Sequence, residues 1–136
     1  MNTDDLFRRV LAERPEVLDQ LQRAHTAAWA AVDPQLLELC RGRMAMLLGS
    51  VEERPDDSEE LARWSTSPRY GEVERACLAY TEQFVLDVAS MDDETVERVS
   101  QVLGPEGLAN FANALLVLEQ RIRLRLIWTA LLEPAA

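Results

Sequence analysis

The stretch Asp33–Ser50, DPQLLELCRGRMAMLLGS, decides how the chain folds. Asp33 can accept hydrogen bonds from the first free N–H groups of a helix. Pro34 suits the first helical position, where an N–H is not needed. Leu37, Cys40, Met44, Leu47 and Leu48 recur at helical spacing and make one apolar face. Gly49 can take the left-handed conformation that closes a helix. On a second face, Glu38, Gly42 and Ala45 follow one another at successive turns, so a carboxylate stands beside two minimal side chains. Small residues there admit another helix at close range or leave room for a ligand. Arg41 lies one turn from Glu38 and can pair with it on the surface.

Toward the N-terminus, Thr3 or Asp4 is expected to cap a short helix carrying Leu6, Phe7, Val10 and Leu11. Pro15 opens a second helix whose apolar stripe is Leu18, Leu21, His25, Ala28, Trp29 and Val32. His25 is the only histidine. It can be a core residue with one backbone hydrogen bond, or an acid or base lining a pocket; it has no evident metal-binding partner.

Toward the C-terminus, the acidic run SVEERPDDSEE holds six carboxylates between Glu52 and Glu60. Ser50 and Glu53 fit a capping box, but Pro55 would break a helix begun there. A solvated loop is expected, then a short helix capped by Asp56 or Asp57 and running to Trp64. The run lacks the alternation and glycine turn of a calcium loop, so no metal is expected. A stronger helix follows, with Val73, Cys77, Tyr80, Phe84 and Val88 on one face. Ser90 should cap a helix to Leu103, and Gly104 should end it. Pro105 should begin the longest helix, to about Leu132, carrying Leu108, Phe111, Leu115, Leu118, Ile122 and Leu126. Its apolar surface is broad enough for a bundle centre or an oligomer interface. Asn110 and Asn113 interrupt that surface and need partners or a cavity. Arg121, Arg123 and Arg125 lie past its midpoint. No segment reads as a strand, so the fold class is all-α, a bundle of about six to seven helices.

Length and composition agree with one compact domain over residues 1–136: 48% of residues are apolar, with 5 glycines and 6 prolines. The net charge of −10 repels phosphate backbones, so nucleic acid is not an expected partner. All 14 basic residues are arginine, which excludes Schiff-base chemistry and a P-loop lysine. Cys40 and Cys77 each fall within an apolar helical pattern, as buried thiols in a reducing compartment do. MNTDDLFRRV does not read as a signal peptide, and no run approaches the ~18–20 apolar residues of a membrane span. A soluble cytoplasmic protein that does not contact membrane is expected.

LLELCRGRMAMLLGS, followed by LARWSTSPRYGEVERACLAYTEQF, resembles the carboxymuconolactone decarboxylase and AhpD-like alkylhydroperoxidase superfamily. Pro34, Glu38 and the small-residue helix ending carry the likeness, with Trp64, Ser67, Pro68, Glu74, Arg75 and Ala76. The closing FANALLVLEQRIRLRL resembles the family's last helix. The likeness spans about residues 34–126 and leaves 1–33 as an N-terminal helical extension. It implies a helical hairpin core that assembles into trimers or hexamers, a dimer being the smaller possibility. In the peroxidase branch it also implies a C-x-x-C pair with a histidine, assisted by a glutamate on the preceding helix. Here Ser50 and Glu53 would stand at the cysteine positions and Asp57 at the histidine; only Glu38 matches. Only 13 residues separate Ser50 from Trp64, so the motif helix is expected to be shortened or lost.

A serine cannot cycle through a disulfide, so the family's hydroperoxide chemistry is not expected. The favoured reading is a redox-inactive, oligomeric binding or scaffold protein without a cofactor. The alternative is a cofactor-free enzyme, a lyase, decarboxylase or isomerase acting on a small organic acid or lactone. Glu38 would be its acid or base, enclosed between helices, with His25, Tyr80, Asn113 and Arg121 orienting the small-molecule ligand. Residual peroxidase activity through Cys40 or Cys77 is a third reading.

Overall fold

The computed structural model describes residues 1–132; the end of the expected domain, 133–136, lies outside the described residues. The described chain is all-helical: α1 Thr3–Val10, α2 Pro15–Ala31, α3 Pro34–Leu47, α4 Ser58–Ala62, α5 Glu72–Asp87 and α6 Asp93–Leu132, with a 3-10 turn at Val88–Ser90. α6 is the axis of the bundle and packs against α1, α2, α3 and α5. Among the described residues, no helix is long and apolar enough to cross a membrane.

The boundaries of α3 follow from local chemistry. The Asp33 carboxylate accepts from the Gln35 N–H at 3.3 Å, and Pro34 takes the first position. At the other end Gly49 has φ 78°. The Ser50 N–H reaches the Ala45 carbonyl at 2.9 Å and the Gly49 N–H reaches Met46 at 3.2 Å. These paired bonds satisfy carbonyls that the helix end would leave open.

The start of α1 differs from expectation. Asn2, not Thr3 or Asp4, is the cap, and its side chain accepts from the Asp5 N–H at 2.8 Å. The start of α6 differs likewise. Val88–Ser90 close a 3-10 turn, so Asp92 takes the capping role expected of Ser90, accepting from the Thr95 N–H at 2.7 Å. The expected break at Gly104 is present as a kink inside α6, with φ 79° and ψ 166°. That region is open essentially to glycine alone, and Pro105 restarts the helix beyond it. Gly104→Ala is expected to lower stability by about 1–3 kcal/mol, read from urea unfolding. A loss under about 0.5 kcal/mol would show that the kink relaxes freely.

The core lies where α3, α5 and α6 meet. Leu37, Cys40 and Met44 face Cys77, Leu78 and Thr81, and α6 closes it with Phe111, Leu115, Leu118 and Ile122. Thr81 satisfies its hydroxyl within this core by donating to the Cys77 carbonyl at 2.8 Å. The expected stripes fade at their ends. Val73 and Val88 are exposed, and on α2 only Ala28 is fully buried.

α1 is fastened to the second arm of α6. Phe7 is fully buried, with its ring 4.8 Å from Trp128 and the Arg121 guanidinium 4.7 Å above it. Arg121 also pairs with Asp4 at 2.7 Å, and Arg125 donates to Thr3 at 2.7 Å. The N-terminal extension is thus part of the packed body.

Candidate functional site

Ser50 and Glu53, the positions where the resemblance puts thiols, bond to each other, and Glu53 shares Arg41 with Glu38. Arg41 binds the Glu38 carboxylate with two bonds, at 2.7 and 2.8 Å. It also donates to the Glu53 carbonyl at 3.1 Å and stands 3.8 Å from its carboxylate. Ser50 is buried and accepts from the Glu53 N–H at 3.3 Å. One Glu53 oxygen, Oε2, is buried without a partner. The cluster therefore holds a hydroxyl, two carboxylates and one guanidinium. It contains no sulfur and no imidazole to activate Ser50.

Glu38 itself is 55% exposed on the outer face of α3, so the enclosure expected around it is not present. Its small neighbours serve packing. A Cβ on Gly42 would meet Pro55 at 3.1 Å, and Ala45 is fully buried. The loop after α3 and the side of α4 fill the space where a ligand would have sat.

The acidic loop is held down rather than freely solvated. Glu52 pairs with Arg125, Asp57 with Arg69 at 3.0 Å, and Glu60 accepts from Ser67. The short helix begins at Ser58 with no side-chain cap from Asp57 and ends at Ala62, short of Trp64.

The other expected ligand residues divide among three places. His25 and Arg121 meet at a cavity of about 10 Å³ with Phe7 and Leu21, room for a single water. The His25 Nδ1 is buried there without a partner. Burial chiefly lowers its pKa; Arg121 lowers it further and Asp4 opposes both. Tyr80 is half-buried, stacked 6.3 Å from Phe84 and edge-on 5.5 Å from Phe111. Asn113 is exposed, on a shallow groove of about 290 Å³ with Asn110 and the alanines of α2.

Neither cysteine is surface-accessible, since both are 0% exposed. Burial pushes the Cys40 thiol far above its ordinary range; a Thr81 hydrogen bond opposes this, while Cys77 and Glu74 add to it. Burial pushes Cys77 up to about 12. Both thiols are thus held protonated at neutral pH, the opposite of what a reactive cysteine needs.

The residues around Trp64 build a cleft of about 650 Å³ between the start of α5 and the first arm of α6. Arg75 shapes its wall. It donates to the Tyr70 carbonyl at 2.8 Å, to Ser65 at 2.7 Å and to Ser67, fixing the turn before α5. Trp64 is anchored by its indole N–H, which donates to Glu82 at 2.7 Å. The same Glu82 oxygen receives Arg43 at 2.6 and 2.9 Å, which links α3, α5 and the Trp64 turn. Arg98, Gln101 and Val102 complete the cleft from α6. Their sequence gave no sign of this, because the cleft forms between segments far apart in the chain.

The chain matches no family model, no curated protein and no solved structure.

Proposed function

We propose that the protein is a divergent, redox-silent relative of the carboxymuconolactone decarboxylase and AhpD-like proteins, acting as a self-associating binding or scaffold protein. One observation supports the redox-silent part: the only sulfur nucleophiles are buried and held as thiols, while Ser50 and Glu53 stand where the resemblance puts the family's thiols. Peroxide reduction needs an accessible thiolate and a second sulfur to resolve the sulfenic acid. The resemblance to the family supplies the expectation of an assembly. The exposed side chains of Leu116, Ile127 and Leu131 on α6 support it, since an apolar helix surface of this kind favours association.

Two measurements test the reading. With dithiothreitol as reductant, the purified protein is expected to consume cumene hydroperoxide no faster than the buffer does. Sulfur-dependent turnover, lost in the Cys40→Ser, Cys77→Ser double variant, would overturn it. In sedimentation velocity the protein is expected to run as an oligomer, and Leu116→Glu with Ile127→Glu to shift it to monomer. A monomer at every concentration would reject self-association.

A further inference from the structure

The wall of the Trp64 cleft carries a guanidinium, that of Arg75, with which no carboxylate among the described residues pairs. Arg75 is held by three backbone carbonyls, which are neutral. No acidic side chain among the described residues makes an ion pair with it. A guanidinium has further N–H donors beyond those three bonds. Across the cleft, Arg98 is paired only with Glu94, at 2.6 Å, and both are largely exposed. Such a surface pair is weak, so Arg98 can exchange Glu94 for another anion at little cost.

Glu72 is the one carboxylate on the cleft wall, against Arg75 and Arg98. The lining residues thus carry two guanidiniums against one carboxylate, with Glu94 pairing Arg98 from outside the wall, in a chain of net charge −10. A second observation points the same way. Tyr70 lines the cleft, is 96% buried by its 4% exposure, and its hydroxyl has no hydrogen-bond partner. Burial raises its pKa, so the group remains an O–H donor. The apolar part of the wall is the indole of Trp64, Ala76, Ala79 and Val102, with Ser65 and Gln101 as further polar groups. A volume near 650 Å³ with apolar walls and a few polar groups has the size and character of a small-molecule site.

We infer that this cleft binds a small amphiphilic anion, its apolar body against Trp64, Ala79 and Val102 and its single anionic group between Arg75 and Arg98. The inference is independent of self-association, which is read by sedimentation and not by ligand binding. Neither Glu38 nor the Ser50 cluster takes part.

The probe is 8-anilinonaphthalene-1-sulfonate, titrated by calorimetry and fluorescence into the full chain. Saturable binding at one site per chain is expected. Arg98→Gln removes a charged donor and should weaken binding about tenfold, as a charge-assisted hydrogen bond of ordinary strength predicts. Val102→Trp fills the cleft and should abolish it. Arg75 is left unchanged because it also braces the turn. The uncharged analogue N-phenyl-1-naphthylamine should bind at least tenfold more weakly, about the worth of one such bond. Leu86→Gln, at the exposed far end of α5, should leave the affinity unchanged, with all variants folded by circular dichroism. Absence of saturable binding overturns the inference, as does equal affinity in Arg98→Gln and Val102→Trp. Equal binding of the neutral analogue, or loss of binding in Leu86→Gln, overturns it as well.

Discussion

Glu82→Ala is expected to lower the unfolding free energy by about 3 kcal/mol, the low end for breaking a buried ion pair. One oxygen of Glu82 accepts two bonds from Arg43 and one from Trp64. Arg43 and Glu82 are 15% and 27% exposed, so water screens the pair only in part. Removing the carboxylate leaves a guanidinium without its counter-charge and an indole N–H without an acceptor, and unmade bonds cost more than made ones return. Glu82→Gln keeps an acceptor and loses the charge, so about half the loss is expected. In a chain of this size 3 kcal/mol lowers the melting temperature by roughly 10 °C. A double-mutant cycle with Arg43→Met separates the pair from the rest, and the two losses should fall well short of additive. A Glu82→Ala loss below about 1 kcal/mol would mean that the link between α3, α5 and Trp64 is a surface contact.

The features legible in the sequence are those written within one turn of chain. Asp33, Pro34 and Gly49 bound α3 because capping is local, and Gly104–Pro105 marked the kink for the same reason. Ser90 does not cap α6 because a carboxylate two residues on, Asp92, competes for the same role and the 3-10 turn decides between them. Contacts across the fold left no such trace. Glu82 lies 39 residues from Arg43 and 18 from Trp64, and nothing in the spacing joins them. Glu38 illustrates the converse. Its helical face is small, as the sequence implies, but the space beside Gly42 belongs to Pro55 and Leu61. A small face permits close approach, and only the fold shows what approaches. Arg121 was expected to orient a ligand and instead holds Asp4 and Phe7 of α1. Arg75 stood out only through the family resemblance. Its partners are main-chain carbonyls, which no side-chain pattern can announce.

The second large effect is a loss of stability at alkaline pH. Unfolding exposes both cysteines to water, where a thiol ionises near pH 8.5. In the folded chain burial pushes Cys77 up to about 12 and raises Cys40 as well. Between these limits the unfolded chain releases protons that the native chain keeps, so native binds more protons and stability falls as pH rises. The stabilisation from the protonated thiols is fully present below about pH 8.5 and is lost toward the folded pKa values. Each thiol contributes a slope of about 1.4 kcal/mol per pH unit, and the two together remove about 4 kcal/mol by pH 10. Half-buried Tyr80 and buried Tyr70, raised in the same direction, steepen the decline above about pH 10. Urea unfolding from pH 7 to 10.5 measures the slope, and Cys40→Ala with Cys77→Ala separates its source. The double variant should be less stable at pH 7, having lost buried volume, yet nearly flat from pH 8.5 to 10. An equally steep decline there would assign the loss to other groups. A flat wild-type curve would mean that water reaches the α3–α5 interface and the thiolates form without unfolding, which would also reopen sulfur chemistry at these positions.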